Sequence, residues 1–350
     1  MSASASIGDN SQRPAAPQPC LLCARRRRWQ GERSTSDLCP QQTLDYITQC
    51  ATIAELLTDF WGLVSTKMNF LDEKEVMARV RKWAESTSSV RAAILTSSRV
   101  NPEPCVDQYS DYDIEVYVDD LQQYWEGDDW MRAAFGEILV RFPWKPGSFK
   151  DGWLTRLAVF KDGFRIDFQI TDGDLDASHY VDGYRVLIDK DGISDNLAPP
   201  TYEGYLVAKP TTEEWEKFTN EFWWDIAYVA KALARDELFY AKFMLDAQIR
   251  FVYFRRLIEW SICVDRGWST QPNKYGRFFK RLVDRQRWSR IESTFAAAGI
   301  DENWTALENM LGLFRELSQQ VAEHFNYPYP EVLDREVSEY IDSIRDTAPA

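Results

Sequence analysis

The chain has 350 residues, of which 45% are hydrophobic and 27% charged, and its 41 Lys and Arg against 55 Asp and Glu give a net charge of −14. That composition is globular rather than disordered or fibrous, and the acidic balance argues against a nucleic-acid backbone as partner while suiting a cationic ligand. No run of 18 apolar residues occurs, so no transmembrane helix and no membrane partner are expected.

The first 67 residues stand apart. They carry a net charge of +1, a stretch with Pro14, Pro17 and Pro19, four arginines at 25–28, and four of the six cysteines (Cys20, Cys23, Cys39 and Cys50). No apolar stretch follows the arginines, which argues against a secretory signal. A single C-x-x-C with irregular partners makes a weak zinc motif. Cys105 and Cys263 form no disulfide framework in a chain this large, so reduced thiols and a cytoplasmic setting are expected. Residues 1–67 read as a disordered extension with at most one helix near Ile53–Val64, or as sequence upstream of a start at Met68. Residues 68–350 then hold 34 basic and 49 acidic residues, a net −15.

From Met68 the pattern is ordered. Asp72 is placed to cap a helix over 73–85, with Val76, Met77, Val80 and Trp83 at helical spacing. A strand follows at 90–96, a loop at 97–110, and a strictly alternating strand at 112–119. A helix over 129–137 and a strand at 138–142 come next. Residues 153–160 and 164–171 read as a hairpin turned by Lys161-Asp162-Gly163, and 184–188 as a last strand. Gly, Pro, Asp and Asn crowd 192–210, which reads as a linker. Beyond Thr211 strand signals vanish, and helices are expected at 211–235, 237–266, 274–287, 303–325 and 330–345, the first opened by the capping-box pattern Thr211–Glu214. The fold class is therefore α+β, with a mixed sheet and flanking helices over 68–191 and an all-α bundle over 211–345.

The chemistry concentrates on two strands. Alternation puts Asp111, Asp113, Glu115 and Tyr117 on one face and Tyr112, Ile114, Val116 and Val118 on the other. The later strand repeats the arrangement, with Arg165, Asp167 and Gln169 opposite Phe164, Ile166, Phe168 and Ile170. If the strands are neighbours, Asp167 joins Asp111 and Asp113. Three carboxylates at one cleft suit hard divalent cations, most naturally Mg²⁺, and two such ions about 4 Å apart clamp the attacking and leaving oxygens of a phosphoryl displacement. Each Asp taken alone reads as a solvated strand residue. The Ser97-Ser98-Arg99 turn after an apolar strand, together with the third Asp, favours the site. The only histidines, His179 and His324, exclude zinc-hydrolase motifs and histidine triads.

This arrangement resembles the nucleotidyltransferase superfamily of DNA polymerase beta type. Within it, residues 68 to about 345 resemble the aminoglycoside 6-adenylyltransferases, also called streptomycin adenylyltransferases. The resemblance rests on Ser98-Arg99 with Asn101, Asp111-Tyr112-Asp113-Ile114, Asp128/Asp129-Trp130 with Phe135-Gly136, Ile166-Asp167 and Val186-Leu187-Ile188-Asp189-Lys190-Asp191. It continues in Asn220-Glu221-Phe222-Trp223, in Tyr228-Val229-x-Lys231-x-Leu233-x-Arg235, and in Val321-Ala322-Glu323 before Tyr329-Pro330-Glu331. It implies transfer of AMP from ATP to a hydroxyl of an aminoglycoside, above all the 6-hydroxyl of streptomycin, with release of pyrophosphate. It further implies two Mg²⁺ ions held by Asp111, Asp113 and Asp167, with Asp167 also taking the acceptor's proton. Ser97 and Ser98 would cradle the triphosphate, and Lys231 would reach it from the helical side.

Other residues weigh less. Arg99 reads either as a phosphate ligand or as a brace for its turn. Lys274, with Arg277, reads as a weaker phosphate contact or as a basic helix start. Glu221, Trp224 and Asp225 combine carboxylates and an aromatic face fit for a cationic acceptor, against the plain reading of a solvated acidic helix face. Trp223 reads as core. One departure from the family is Ser97 where the turn carries Gly, so a Cβ meets a close approach of backbone to phosphate or a strained φ. A monomer that binds no nucleic acid is expected. The alternatives are transfer to another acceptor, or a degenerate, non-catalytic nucleotide-binding protein.

Overall fold

Among the described residues, seven strands form one mixed sheet between residues 90 and 189, and all regular structure after Thr211 is helical. A computed structural model describes residues 70–103, 106–145 and 147–348. The expectations for residues 1–67, their cysteines and Cys105 fall outside these, and Met68 to Ala350 cluster as one compact unit. Among the described residues no helix is long and apolar enough to cross a membrane.

Helix α1 (Glu73–Ser86) begins where Asp72 accepts a hydrogen bond from the Glu75 backbone N–H at 2.8 Å, satisfying an otherwise orphaned donor. The strands are β1 (Val90–Thr96), β2 (Tyr112–Val118), β3 (Ile138–Phe142), β4 (Phe149–Lys150), β5 (Trp153–Phe160), β6 (Arg165–Thr171) and β7 (Arg185–Asp189). Their order is β3-β5-β6-β2-β1-β7, with β4 beside β5. The β5–β6 hairpin turns through Gly163 at φ 84°, a conformation that L-residues rarely adopt. The central pair, β2 and β6, is parallel, and the other pairs are antiparallel.

One sheet face is the main core of this region. Tyr112, Ile114, Val116, Ile166, Phe168 and Ile170 pack there under α1 and under α3 (Asp129–Phe135), which follows the short α2 (Gln122–Trp125). Trp83 of α1 stacks on Trp130 at 5.2 Å and meets Phe168 at 5.4 Å. Fully burying a side chain of this size stabilises by roughly 1.5–3 kcal/mol. The opposite face has only a small apolar patch, built on Ala92, Ile94, Tyr117 and Tyr180. It leaves Asp113, Glu115, Asp167 and Gln169 half-buried.

The later helices are α4 (Thr212–Ala234), α5 (Leu238–Lys242), α6 (Arg255–Arg266), α7 (Phe279–Leu282), α8 (Arg285–Glu292), α9 (Ile300–Phe325) and α10 (Glu331–Asp346). They enclose a core of their own around Trp215, Phe222, Trp223, Met310 and Phe314. The Thr211–Glu214 capping box is present in both directions. Two expected helices differ from the sequence reading. Residues 238–266 are continuous, but Phe243–Phe254 is wound as a π-helix. The stretch 274–287 is broken, because Tyr275 takes φ 57° and Val283 is extended before Asp284 caps a new start.

Candidate active site

The loop between β1 and β2 is braced from within. Arg99 donates to the Asp111 carbonyl at 2.9 Å and the Ser110 carbonyl at 2.6 Å, pairs with Glu73 at 2.8 Å, and lies 3.6 Å from the Tyr112 ring centroid. Its side chain is 3% exposed, so the guanidinium braces the turn rather than offering itself to a phosphate. Ser97, the last step out of β1, holds φ 62°, the strained conformation anticipated for a residue in the glycine position. Its hydroxyl donates to Asp113, and its carbonyl accepts from Tyr205 at 3.4 Å.

The parallel register sets Asp113 directly opposite Asp167, and Thr96 pairs with Asp113 from the other side. Arg165, two residues before Asp167 on the same face, grips both of its oxygens at 2.6 and 2.7 Å and lies 3.6 Å from Asp111. Burial, reinforced by the charges of Asp167 and Asp111, pushes the Asp113 carboxyl up to about 6. Asp111 is raised as well, by burial first, with Arg165 opposing. The three carboxylates therefore share one sheet face, with Arg165 as the cation between Asp167 and Asp111.

Two basic elements lie toward this face from the helical region. Arg277 stands near enough to Asp111 to favour its charged form, and Arg281 pairs with Glu103 at 3.7 Å. A cavity of about 510 Å³ is lined by Lys209, Arg255, Arg256 and Lys274, with Glu214 and Glu259 among its walls. Other expected site residues make their own local contacts on the helices. Lys231 and Trp224 line a groove between α4 and α10, where the Lys231 ammonium sits 5.1 Å from the Tyr228 ring and 5.5 Å from that of Tyr340. Glu221 pairs with Lys217 at 3.8 Å, and Asp225 accepts from the Tyr253 hydroxyl at 2.7 Å. Among the described residues no hydrogen bond, ion pair or ring contact joins these four to the carboxylates. Trp223 is fully buried, as expected of core.

Residues 71–344 match the profile of the streptomycin adenylyltransferases. The chain belongs to that family. It is 29% identical over 278 residues to the aminoglycoside 6-adenylyltransferase of Bacillus subtilis (strain 168), spanning 78% of this chain and 97% of that one. To the aminoglycoside 6-adenylyltransferase of Campylobacter jejuni it is 30% identical over 281 residues, 77% and 94% of the two chains. The crystal structure of an aminoglycoside 6-adenyltransferase from Bacillus subtilis aligns at 24% identity with a TM-score of 0.40, covering 79% of this chain and 99% of that one.

In this streptomycin adenylyltransferase family member the donor set suits a divalent cation, because carboxylate oxygens are what Mg²⁺ takes. The spacing corrects one expectation. Among the described residues no three His, Cys, Asp or Glu side chains converge on a point able to hold an ion, and Asp167 is engaged by Arg165 instead. Arg165 is the group that sequence reasoning did not single out. Its signal was present, since alternation puts it on the Asp167 face.

Proposed function

We propose that the protein transfers AMP from ATP to a hydroxyl of an aminoglycoside, with the 6-hydroxyl of streptomycin as the favoured acceptor, and releases pyrophosphate. The observation supporting this is the register of Asp113 against Asp167 beside Asp111, in a chain whose relatives are named aminoglycoside 6-adenylyltransferases. In this reading Asp111, Asp113 and Asp167 hold Mg²⁺, two ions when fully loaded, which would supply charge neutralisation at the reacting phosphate. Arg165 must release Asp167 for that arrangement to close. Ser97, Ser98 and their backbone N–H groups cradle the triphosphate, with Arg277, Lys274 and Lys231 as the candidates to reach it from the helical side.

The acceptor oxygen forms a bond to the α-phosphorus while the bond from that phosphorus to the β-bridging oxygen breaks. Pyrophosphate leaves, and the hydroxyl proton passes to Asp167, a carboxylate on the same face. Residues 68–191 form the nucleotidyltransferase domain, 192–210 the linker and 211–345 a helical domain whose Glu221, Trp224 and Asp225 remain candidates for acceptor contacts. The enzyme is taken as a cytoplasmic monomer that binds no nucleic acid.

Pyrophosphate release from ATP and Mg²⁺ against a panel of aminoglycosides tests this. Release with streptomycin that disappears in Asp113→Asn supports it. Release with no aminoglycoside in the panel refutes it, and absence of turnover with any acceptor favours a non-catalytic nucleotide binder.

A further inference from the structure

Glu115 lies on the same face of β2 as Asp113, two residues further on, and faces Gln169 across the parallel pair just as Asp113 faces Asp167. Two residues of strand span about 6.6 Å, so Glu115 and Gln169 stand one pleat repeat from the carboxylate pair. A buried relay fixes the Glu115 carboxylate. Its Oε2 accepts from the Tyr180 hydroxyl at 2.5 Å, and that hydroxyl lies 2.7 Å from the Tyr117 hydroxyl. Both tyrosines are 1% exposed. Gln169 is oriented in turn by the Thr155 hydroxyl, which donates to its Oε1 at 2.9 Å.

What Glu115 lacks among the described residues is an arginine or lysine partner. The buried acids Asp128, Glu259 and Asp334 each have an arginine partner, in Arg156, Arg255 and Arg315. Among the described residues no Lys or Arg pairs with Glu115, and His179, whose charge favours the ionised carboxylate, lies 3.8 Å from Asp176. A half-buried carboxylate held rigid without a counter-charge is unfavourable on its own, and is satisfied when a ligand brings the charge.

We propose that Glu115 is the anchor for the acceptor. Its carboxylate receives an ammonium or guanidinium group of the aminoglycoside, and Gln169 donates from its amide nitrogen to a neighbouring sugar hydroxyl. The reacting hydroxyl is thereby set one pleat repeat away, over Asp113 and Asp167. This rests on the adenylyl-transfer reading and adds the residue that selects a cationic acceptor over a neutral one.

The test is steady-state kinetics of Glu115→Gln with streptomycin and ATP. The acceptor KM is expected to rise about tenfold or more, as loss of a charge-assisted contact implies, with kcat and the ATP KM within about threefold of wild type. Glu115→Asp should recover part of the loss, and Tyr180→Phe, which unfixes the carboxylate, should raise the acceptor KM about threefold. Where Glu115→Gln does not fold, Glu115→Asp decides, since an unchanged acceptor KM in it overturns the proposal. Wild-type acceptor KM in a folded Glu115→Gln, or a fall in kcat alone, overturns it while leaving adenylyl transfer standing. Failure of wild type to adenylylate any aminoglycoside overturns both.

Discussion

Replacing Ser97 by glycine separates the two roles that residue plays. Ser97 holds φ 62°, a left-handed conformation that disfavours an L-residue by roughly 1–2 kcal/mol, and its hydroxyl donates to Asp113. Glycine relieves the strain but widens the unfolded ensemble, which offsets about 0.5–1 kcal/mol. The lost hydroxyl bond, at an exposed position, contributes about another 0.5–1 kcal/mol. These terms nearly cancel, so Ser97→Gly should change stability by no more than about 1 kcal/mol and Tm by about 2–4 °C at most. Ser97→Ala keeps the strain and loses only the hydroxyl bond, and should be destabilised by about 0.5–1 kcal/mol. Turnover in Ser97→Gly should be unchanged or higher, because removing Cβ lets the turn's N–H groups approach phosphate more closely. Initial rates of pyrophosphate release at saturating and limiting ATP check this beside calorimetric melting. A drop of about tenfold or more in kcat/KM in both variants, equivalent to about 1.4 kcal/mol, would show that the serine hydroxyl is itself part of the site and refute the reasoning.

Three further outcomes are expected. Chelation of divalent metal should abolish pyrophosphate release, and Mg²⁺ at ten times its Kd should stabilise the wild type by about 1.4 kcal/mol in a thermal melt, but not Asp113→Asn. Arg277→Ala should raise the ATP KM about tenfold while Lys231→Ala leaves it within about threefold, and the reverse order would move the nucleotide toward the α4–α10 groove. Asp334 is buried, which alone would raise its pKa. Hydrogen bonds from Arg315, Tyr329 and Ser338 and the arginine charge outweigh that and hold it below the usual carboxylate range. Because the folded value is depressed, its stabilisation is complete above the unfolded pKa of about 3.9 and is lost as pH falls through the folded value. Asp334→Asn should therefore melt about 4–8 °C lower near neutral pH, from a loss of about 2 kcal/mol discounted for the exposure of Arg315, and the gap should close below about pH 4.

Alternation made the faces of β2 and β6 readable in advance, because a sheet buried on one side writes its pleat into the sequence. It did not reveal which carboxylate Arg165 would grip, since two residues sharing a face are neighbours in either rotamer. The sequence allows Arg99 to brace its turn or to meet a phosphate. Its partners are backbone carbonyls of a loop, and no residue type announces those. Lys231 shows a different gap. Its motif names the helix, whereas the packing of α10 on α4 decides that its ammonium lies beside the Tyr228 and Tyr340 rings. The π-wound stretch at Phe243–Phe254 and the break at Tyr275 were hidden for a related reason, since a short apolar run fits more than one winding.

The parallel pairing of β2 with β6 has a consequence for the chain as it is made. β2 ends at Val118 and its partner begins only at Arg165, so one edge of β2 stays open while more than forty residues are added. An open apolar strand is a template for association with other chains, and inward-facing charges are a recognised protection against it. Asp113 and Glu115 stand along that edge. The carboxylates assigned here to catalysis and acceptor binding would thus first serve as guards against aggregation, and replacing both with neutral residues would lower soluble yield as well as activity.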